Sequence, residues 1–293
     1  MKNKKNIIRL IAEFFFIYLL FIILSILPIN FVSRLGGLIF KYFGPLTKYH
    51  KIAFNNYINI FPTSNLLEIK NNVLKSWENL GKTFFELLIL HKIIDKKNKK
   101  ITIKGKEYLE ELIIKDEQVI FFGIHQSNWE ILLPTIDSLG FKVGGIYRHI
   151  NNPYIDKFIL NQRSKSIPSK KSFLTPKGKQ GAKEIIDAVN KKFSIVLLID
   201  QKDSAGENIK FFNFKTKTQT GFIKIARKYN MKLIPIENSR QNINNFTLKF
   251  YPPLSYLKSN LSDIKIMEEI HAIIENWIKK DPKNWFLQHN RFN

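Results

Sequence analysis

From Leu10 to Leu27 the chain is apolar apart from Glu13, Tyr18 and Ser25. As a helix these 18 residues reach about 27 Å, close to the roughly 30 Å hydrocarbon core of a bilayer. Lys2, Lys4, Lys5 and Arg9 precede the run and Pro28 and Asn30 close it, the positive flank expected of a membrane-anchoring helix. A cleaved leader needs a shorter apolar run ending in small residues, which Pro28-Ile29-Asn30-Phe31 does not supply. Glu13 is costly in a spanning helix unless it lies near the interface. Beyond Gly36 and Gly37, the apolar and aromatic Leu38, Ile39, Phe40, Tyr42 and Phe43 are set among Arg34, Lys41 and Lys48. That pattern suits a helix lying in the headgroup region. Residues 1–45 are therefore expected to anchor the chain, spanning the bilayer or lying in it. Residues 46–293 form the domain held at its surface.

Within that domain, Leu66, Leu67, Ile69, Val73, Leu74, Trp77 and Leu80 recur at three- and four-residue steps, predicting a helical subregion over about 63–93. A charged linker follows at 95–100, and from about residue 101 to 293 the rhythm is that of an α/β core. Strands are expected at Ile101–Ile103, Val119–Ile124, Val143–Tyr147, Ile195–Ile199, Leu233–Ile236 and Phe246–Phe250. Helices are expected at Tyr108–Ile114, Trp129–Leu139, Pro153–Arg163, Gly181–Asn190, Gly221–Tyr229 and Ile264–Lys279. The alternation implies a mostly parallel central sheet flanked by helices on both faces.

Charge adds a partner to this picture. Lys and Arg number 47 against 24 Asp and Glu, a formal net charge of +23, which calls for an acidic partner such as a nucleic acid, an anionic membrane or an acidic protein. Part of the surplus travels with abundant Asn and Ile and needs no partner. There is no cysteine, so disulfides, thiolate metal sites and a cysteine nucleophile are excluded. No metal-ligand cluster, phosphate-cradling loop or dinucleotide glycine pattern is present, and neither metal nor cofactor is expected.

The candidate chemistry lies in Gly123-Ile124-His125-Gln126-Ser127-Asn128-Trp129-Glu130. His125 ends a strand that reads as buried and central, the edge at which ligands bind in open α/β sheets. Ser127 or Asn128 is suited to cap the next helix. On one regular helix, side chains five apart diverge by about 140°, so His125 and Glu130 meet only if the turn folds His125 back. So paired, the imidazole takes a proton from a hydroxyl while the carboxylate holds the other ring nitrogen. Asp200 and Gln201 end a second apolar strand and should lie beside His125. Asn128 is suited either to cap its helix or to donate to an oxyanion. His149 stands beside Arg148 with no carboxylate at relay spacing.

The segment His125-Gln126-Ser127-Asn128-Trp129-Glu130 resembles the His-x4-Glu/Asp box of the lipid A biosynthesis lauroyl/myristoyl acyltransferases. The likeness extends through Gly105, Tyr147-Arg148, Asn152-Pro153, Arg163, Lys177-Gly178, Ile199-Asp200-Gln201, Phe211-Phe212, Thr220-Gly221 and Trp285 to Arg291. It implies a glycerolipid-acyltransferase-like α/β fold and late acylation of a lipid A precursor in lipopolysaccharide or lipooligosaccharide biosynthesis. The fatty acyl group comes from acyl carrier protein, and the reaction takes place on the cytoplasmic face of a Gram-negative inner membrane. His125 is then the general base and Glu130 its partner. Arg148, Arg163, Asp200, Gln201 and Asn128 are substrate-side residues, the arginines facing an acceptor phosphate or an oxyanion. The chain departs from the family at Asn290, where a basic residue is usual.

Lys165, Lys170, Lys171, Lys177, Lys179 and Lys183 lie close in sequence and offer a basic face to carrier or membrane. Two other readings exist. The acceptor is another membrane lipid, such as a glycerophospholipid or glycolipid, or the protein is a membrane-tethered nucleic-acid binder. Against the latter, the aromatics sit in apolar runs rather than among Lys and Arg on exposed strands.

Overall fold

The computed structural model describes residues 2–255 and 260–292, with side chains from residue 6 onward; the side chains of Lys2, Lys4 and Lys5 lie outside the described residues. Helix α1 (Lys2–Ile26) breaks at Leu27 and Pro28, and α2 (Ile29–Phe43) and α3 (Tyr49–Ile60) follow. The long helical subregion is α4 (Leu66–Leu88), capped by Asn65 accepting from the Glu68 N–H, and the short α5 (Leu90–Ile94). The core then runs β1 (Ile101–Lys104), α6 (Glu107–Ile114), β2 (Val119–Gly123), α7 (Leu132–Ser138), β3 (Val143–Tyr147), α8 (Pro153–Lys165), β4 (Phe173–Pro176), α9 (Lys179–Asn190) and β5 (Ser194–Leu198). A hairpin of β6 (Glu207–Phe211) and β7 (Phe214–Thr218) precedes α10 (Gly221–Lys228), β8 (Lys232–Arg240), β9 (Phe246–Phe250) and α11 (Asp263–Lys280).

Seven strands form one sheet in the order β1-β9-β8-β2-β5-β3-β4. All pairings are parallel except β8 with β9, giving a mixed sheet of mostly parallel strands flanked by helices. The period-2 pleat sorts β2 between two cores. Ile120 and Phe122 pack with α9, α10 and α11, whereas Val119 and Phe121 pack with α6, α7 and α8. With every residue of β2 buried, no polar alternation marks the strand, as expected of a parallel strand covered on both faces.

Every expected strand is present. β4 and the β6–β7 hairpin were not expected, because Phe173-Leu174-Thr175-Pro176 is short and the hairpin strands carry Lys at 210, 215 and 217. Their burial comes from tertiary partners, chiefly α11 against β6.

α2 is part of the packed structure rather than a free appendage, burying Val32, Ser33, Gly36 and Gly37. It crosses α4 so closely that a Cβ on Gly81 would lie 2.1 Å from the Gly36 carbonyl oxygen. By contrast, α1 offers most of its surface outward. Ile8, Phe15, Phe16, Leu19 and Ile26 are exposed, while Leu24 is buried and Phe14, Tyr18 and Phe21 surround Phe158 of α8. Asn6–Ile26 is, among the described residues, the one helix long and apolar enough to cross a membrane. Glu13 is not stranded there: Asn152 Nδ2 donates to its carboxylate at 3.0 Å, and Arg9 lies 3.4 Å away.

His271 on α11 is buried against Phe211. Its Nδ1 donates to the Lys210 carbonyl at 2.6 Å while Nε2 has no partner. Burial pushes its pKa down to about 4. Between the ordinary value near 6.5 and about 4, the unfolded chain binds a proton here that the folded chain refuses. Stability is therefore full above that window and falls as pH drops through it, by up to about 3 kcal/mol from this group. Urea unfolding followed from pH 7 to 4 is expected to show that decline, and His271→Asn, which keeps a donor for Lys210, is expected to lessen its slope.

Candidate active site

β2 and β5 lie side by side with Gly123 opposite Leu198, which brings the residues that follow each strand to one carboxyl edge. His125 Nδ1–H donates to Asp200 Oδ1 at 2.8 Å. Asp200 Oδ2 accepts the His125 backbone N–H at 3.1 Å and the Trp285 indole N–H at 2.8 Å. Asp200 is 2% exposed. Burial by itself raises its pKa, but the ring of His125, with the Trp285 and backbone N–H donors, holds the carboxyl below the usual carboxylate range. An anion so placed fixes the Nδ1–H tautomer of His125. The other nitrogen, Nε2, lies 3.2 Å from the side-chain amide of Gln201. The ring is packed by Trp129 and Phe286, and the His125 side chain retains 16% exposure.

This geometry corrects the expected His125–Glu130 contact. Asp200 holds one ring nitrogen and Gln201 faces the other, so none is left for Glu130. The Glu130 carboxylate instead forms a two-point ion pair with Arg163, at 2.8 Å from Nε and 2.6 Å from the terminal nitrogen. Arg163 also lies over the Tyr147 ring. Asn128 is fully buried with both ends of its amide in use. Oδ1 accepts from the Glu130 N–H and Nδ2 donates to Glu86. It is a cap for the turn and a tie to Glu86. Arg148 is exposed at the rim.

The turn between β2 and α7 is costly to make. Ser127 takes φ +53°, a left-handed conformation that costs a non-glycine residue about 1–3 kcal/mol. Four hydrogen bonds hold it: its N–H to Asn284 O, its hydroxyl to Asn238 O, and its carbonyl from Asn79 and Thr83. Behind it, buried Glu86 accepts from Ser33, Asn128 and both terminal nitrogens of Arg240. Removing one partner of such a buried pair costs about 3–5 kcal/mol. The C-terminal segment closes the other side. The Phe286 N–H donates to the His125 carbonyl at 2.9 Å, and Asn56 Nδ2 holds the carbonyls of Leu287 and His289.

His289 Nε2 accepts from the Lys202 backbone N–H at 3.0 Å, and burial pushes its pKa down to about 4. Arg291 is wholly buried over the Phe211 ring, donating to Lys217 O and Thr218 Oγ1. This stretch therefore builds the wall of the site. The lysine cluster does not form one face. Lys170 and Lys171 precede β4 and Lys177 and Lys179 follow it, at opposite ends of a strand parallel to β3. Only Lys177 and Lys179 share the carboxyl edge, and Lys177 pairs with Asp203 at 2.8 Å.

Asp200 lies beside His125 as expected, but sequence spacing had concealed two carboxylate–imidazole contacts, Asp200 with His125 and Asp156 with His149. Asp200 lies 75 positions from His125, and only adjacency of β2 and β5 brings them together. Asp156 lies in the first turn of α8, and it accepts from His149 Nδ1 at 2.7 Å and from the Ile150 N–H at 2.8 Å. The tight loop between β3 and α8 supplies that contact.

Fold and site together place a carboxylate-held imidazole at the carboxyl edge of an α/β sheet, beside an exposed apolar helix. The chain belongs to the bacterial lipid A biosynthesis acyltransferase family, whose profile matches residues 1–293. It is thus a lipid acyltransferase, and α1 points to association with a membrane. No curated protein matches the sequence. Among solved structures it is similar to the 1-acyl-sn-glycerophosphate (LPA) acyltransferase, PlsC, from Thermotoga maritima. The two are 13% identical, with 85% of this chain and 97% of that chain covered at a TM-score of 0.39.

Two outcomes are expected from this geometry. Asp200→Asn, which keeps shape but loses charge and tautomer control, is expected to lower kcat at least about 100-fold, as read by steady-state acyl transfer. In thermal unfolding, the Glu130→Gln and Arg163→Met double variant is expected to lose less than the sum of the single variants, because each single change strands a largely buried charge.

Proposed function

We propose that the protein transfers a fatty acyl group from an acyl-carrier-protein thioester to a hydroxyl of a lipid A precursor, on the cytoplasmic face of a bacterial inner membrane. The observation that carries the chemistry is the buried Asp200 on His125 Nδ1, which leaves Nε2 as the basic atom at the sheet edge. The acceptor hydroxyl replaces the Gln201 amide at Nε2 and gives up its proton as its oxygen attacks the thioester carbonyl. The tetrahedral intermediate collapses, the C–S bond breaks, and the imidazolium returns the proton to the departing thiolate. Asp200 stabilises the imidazolium between these steps. No acyl-enzyme forms, and water excluded by Trp129 and Phe286 does not compete.

Glu130 acts in this reading as a positioning residue, holding Arg163 beside Tyr147. Arg148, exposed at the rim, meets the anionic acceptor. Residues 1–45 anchor and 46–293 catalyse, with α2 shared between the two tasks. The net positive charge suits both an acidic carrier and an anionic lipid. Family membership supports a lipid A precursor over another membrane lipid as acceptor.

The test is to incubate the full-length protein in detergent with acyl-carrier thioesters and a tetra-acylated lipid A precursor bearing its inner sugars, followed by mass spectrometry. One acyl increment is expected, reduced about 10³-fold or more in His125→Ala. Thioester hydrolysis that depends on His125 without acylation of the precursor would move the acceptor to another membrane lipid. The absence of both from folded protein would sink the proposal.

A further inference from the structure

Outside the His125–Asp200 pair, the carboxyl edge carries a second carboxylate-held imidazole that the proposed mechanism does not use. His149 and Arg148 lie in the five-residue loop between β3 and α8. The His149 ring is fixed rather than loose, with Nδ1 on Asp156 and an edge-to-face contact with Tyr147, the ring centres 5.5 Å apart. Asp156 is itself held by the Ile150 N–H. The His149 side chain is nevertheless 60% exposed, so Nε2 looks outward. Arg148 makes no ion pair with a carboxylate among the described residues. It follows β3, which pairs with β5, so it shares the carboxyl edge with Asp200. The loop thus borders the catalytic pair.

Its depth relative to lipid follows from the next residues. Asn152 Nδ2 donates to Leu10 O at 2.8 Å and to Glu13 at 3.0 Å, and Tyr154 lies against Phe14. Arg9 and Glu13 end the polar part of α1, and from Phe14 the helix is apolar and outward-facing. His149 is three residues from Asn152, at most about 10 Å of chain. The loop therefore sits level with the polar-to-apolar border of the anchoring helix, where lipid headgroups lie.

We propose that Arg148 and His149 form a subsite for a phosphate monoester on the headgroup of the acceptor lipid. The proposal rests on the function proposed above. Arg148 offers its guanidinium fork to the phosphate oxygens. The imidazolium form of His149 donates Nε2–H to the ligand while Nδ1–H stays on Asp156. The ligand is thereby held beside the sheet edge with its sugar or glycerol hydroxyl directed toward His125. Neither a carboxylate-held histidine nor a rim arginine serves the transfer chemistry itself. Their common use is anion recognition at headgroup depth.

The experiment compares wild type and His149→Ala, as full-length protein in detergent, on a phosphorylated acceptor and its dephosphorylated counterpart. KM for the phosphorylated acceptor is expected to rise about tenfold, with a much smaller change for the dephosphorylated one. A matching rise on both acceptors, or no rise, overturns the proposal. A rise confined to the KM of the acyl-carrier thioester also overturns it, assigning the loop to the phosphate of the carrier's prosthetic arm. Flotation with phosphatidylcholine vesicles containing either phosphatidic acid, a monoester, or phosphatidylglycerol, a diester, needs no turnover. Preferential binding of wild type to the monoester vesicles, lost in His149→Gln, supports the subsite even if the lipid A precursor proves not to be the acceptor. Equal binding to both vesicles rejects it.

Discussion

A buried carboxylate needs hydrogen-bond donors, and Asp200 recruits three of them from two distant parts of the chain. It sits just past β5, takes the ring and the backbone N–H of His125 after β2, and takes the indole of Trp285 near the C-terminus. The requirement to satisfy a buried charge thus fastens the C-terminal segment over the sheet edge while it orients the imidazole. Stability and reactivity draw here on one ionised group. The same contacts that hold the carboxyl's pKa down fix the orientation of the His125 ring.

The second anion, Glu86, does comparable work one layer behind. It binds Arg240 from β8, Ser33 from α2 and Asn128 from the turn. Through Asn128 it steadies the turn in which Ser127 adopts its left-handed backbone. The helices that precede the α/β core are therefore not only a tether. α4 crosses the carboxyl edge, with Asn79 and Thr83 bonded to the Ser127 carbonyl, and α2 reaches it by close glycine packing. Anchor-proximal structure and catalytic turn are parts of one packed unit.

A chain of contacts runs outward from that unit to α1. Glu130 holds Arg163, Arg163 overlies Tyr147, Tyr147 meets His149, and Asn152 a few residues on binds Glu13. The position of the sheet edge relative to α1 is thus set by side chains rather than by a flexible linker. This gives a physical account of an acidic residue within an otherwise apolar helix. Glu13 marks where α1 meets the loop beside the site.

Local pattern sufficed for much of this. The apolar run of α1, the period-2 and period-3.6 rhythms and the strand end at His125 were legible because each depends on near neighbours along the chain. The pairing of β2 with β5, and hence Asp200 beside His125 at one edge, was expected from two apolar strands with polar ends. Which carboxylate takes the imidazole was not legible. Glu130 is five residues away and Asp200 is 75, and the choice depends on strand order and on whether Arg163 from α8 claims Glu130 first. His149 was legible beside Arg148 but its partner Asp156 was not, for a related reason, since their contact is made by a loop that bends a helix start back on a strand end. The lysine run was legible as charge but not as a surface, because β4 divides it between opposite ends of the sheet. The sequence by itself determined the elements, their faces and the chemistry available. The tertiary structure decided which charged groups meet, because each buried ion takes the partner that packing brings within hydrogen-bond reach, however distant along the chain.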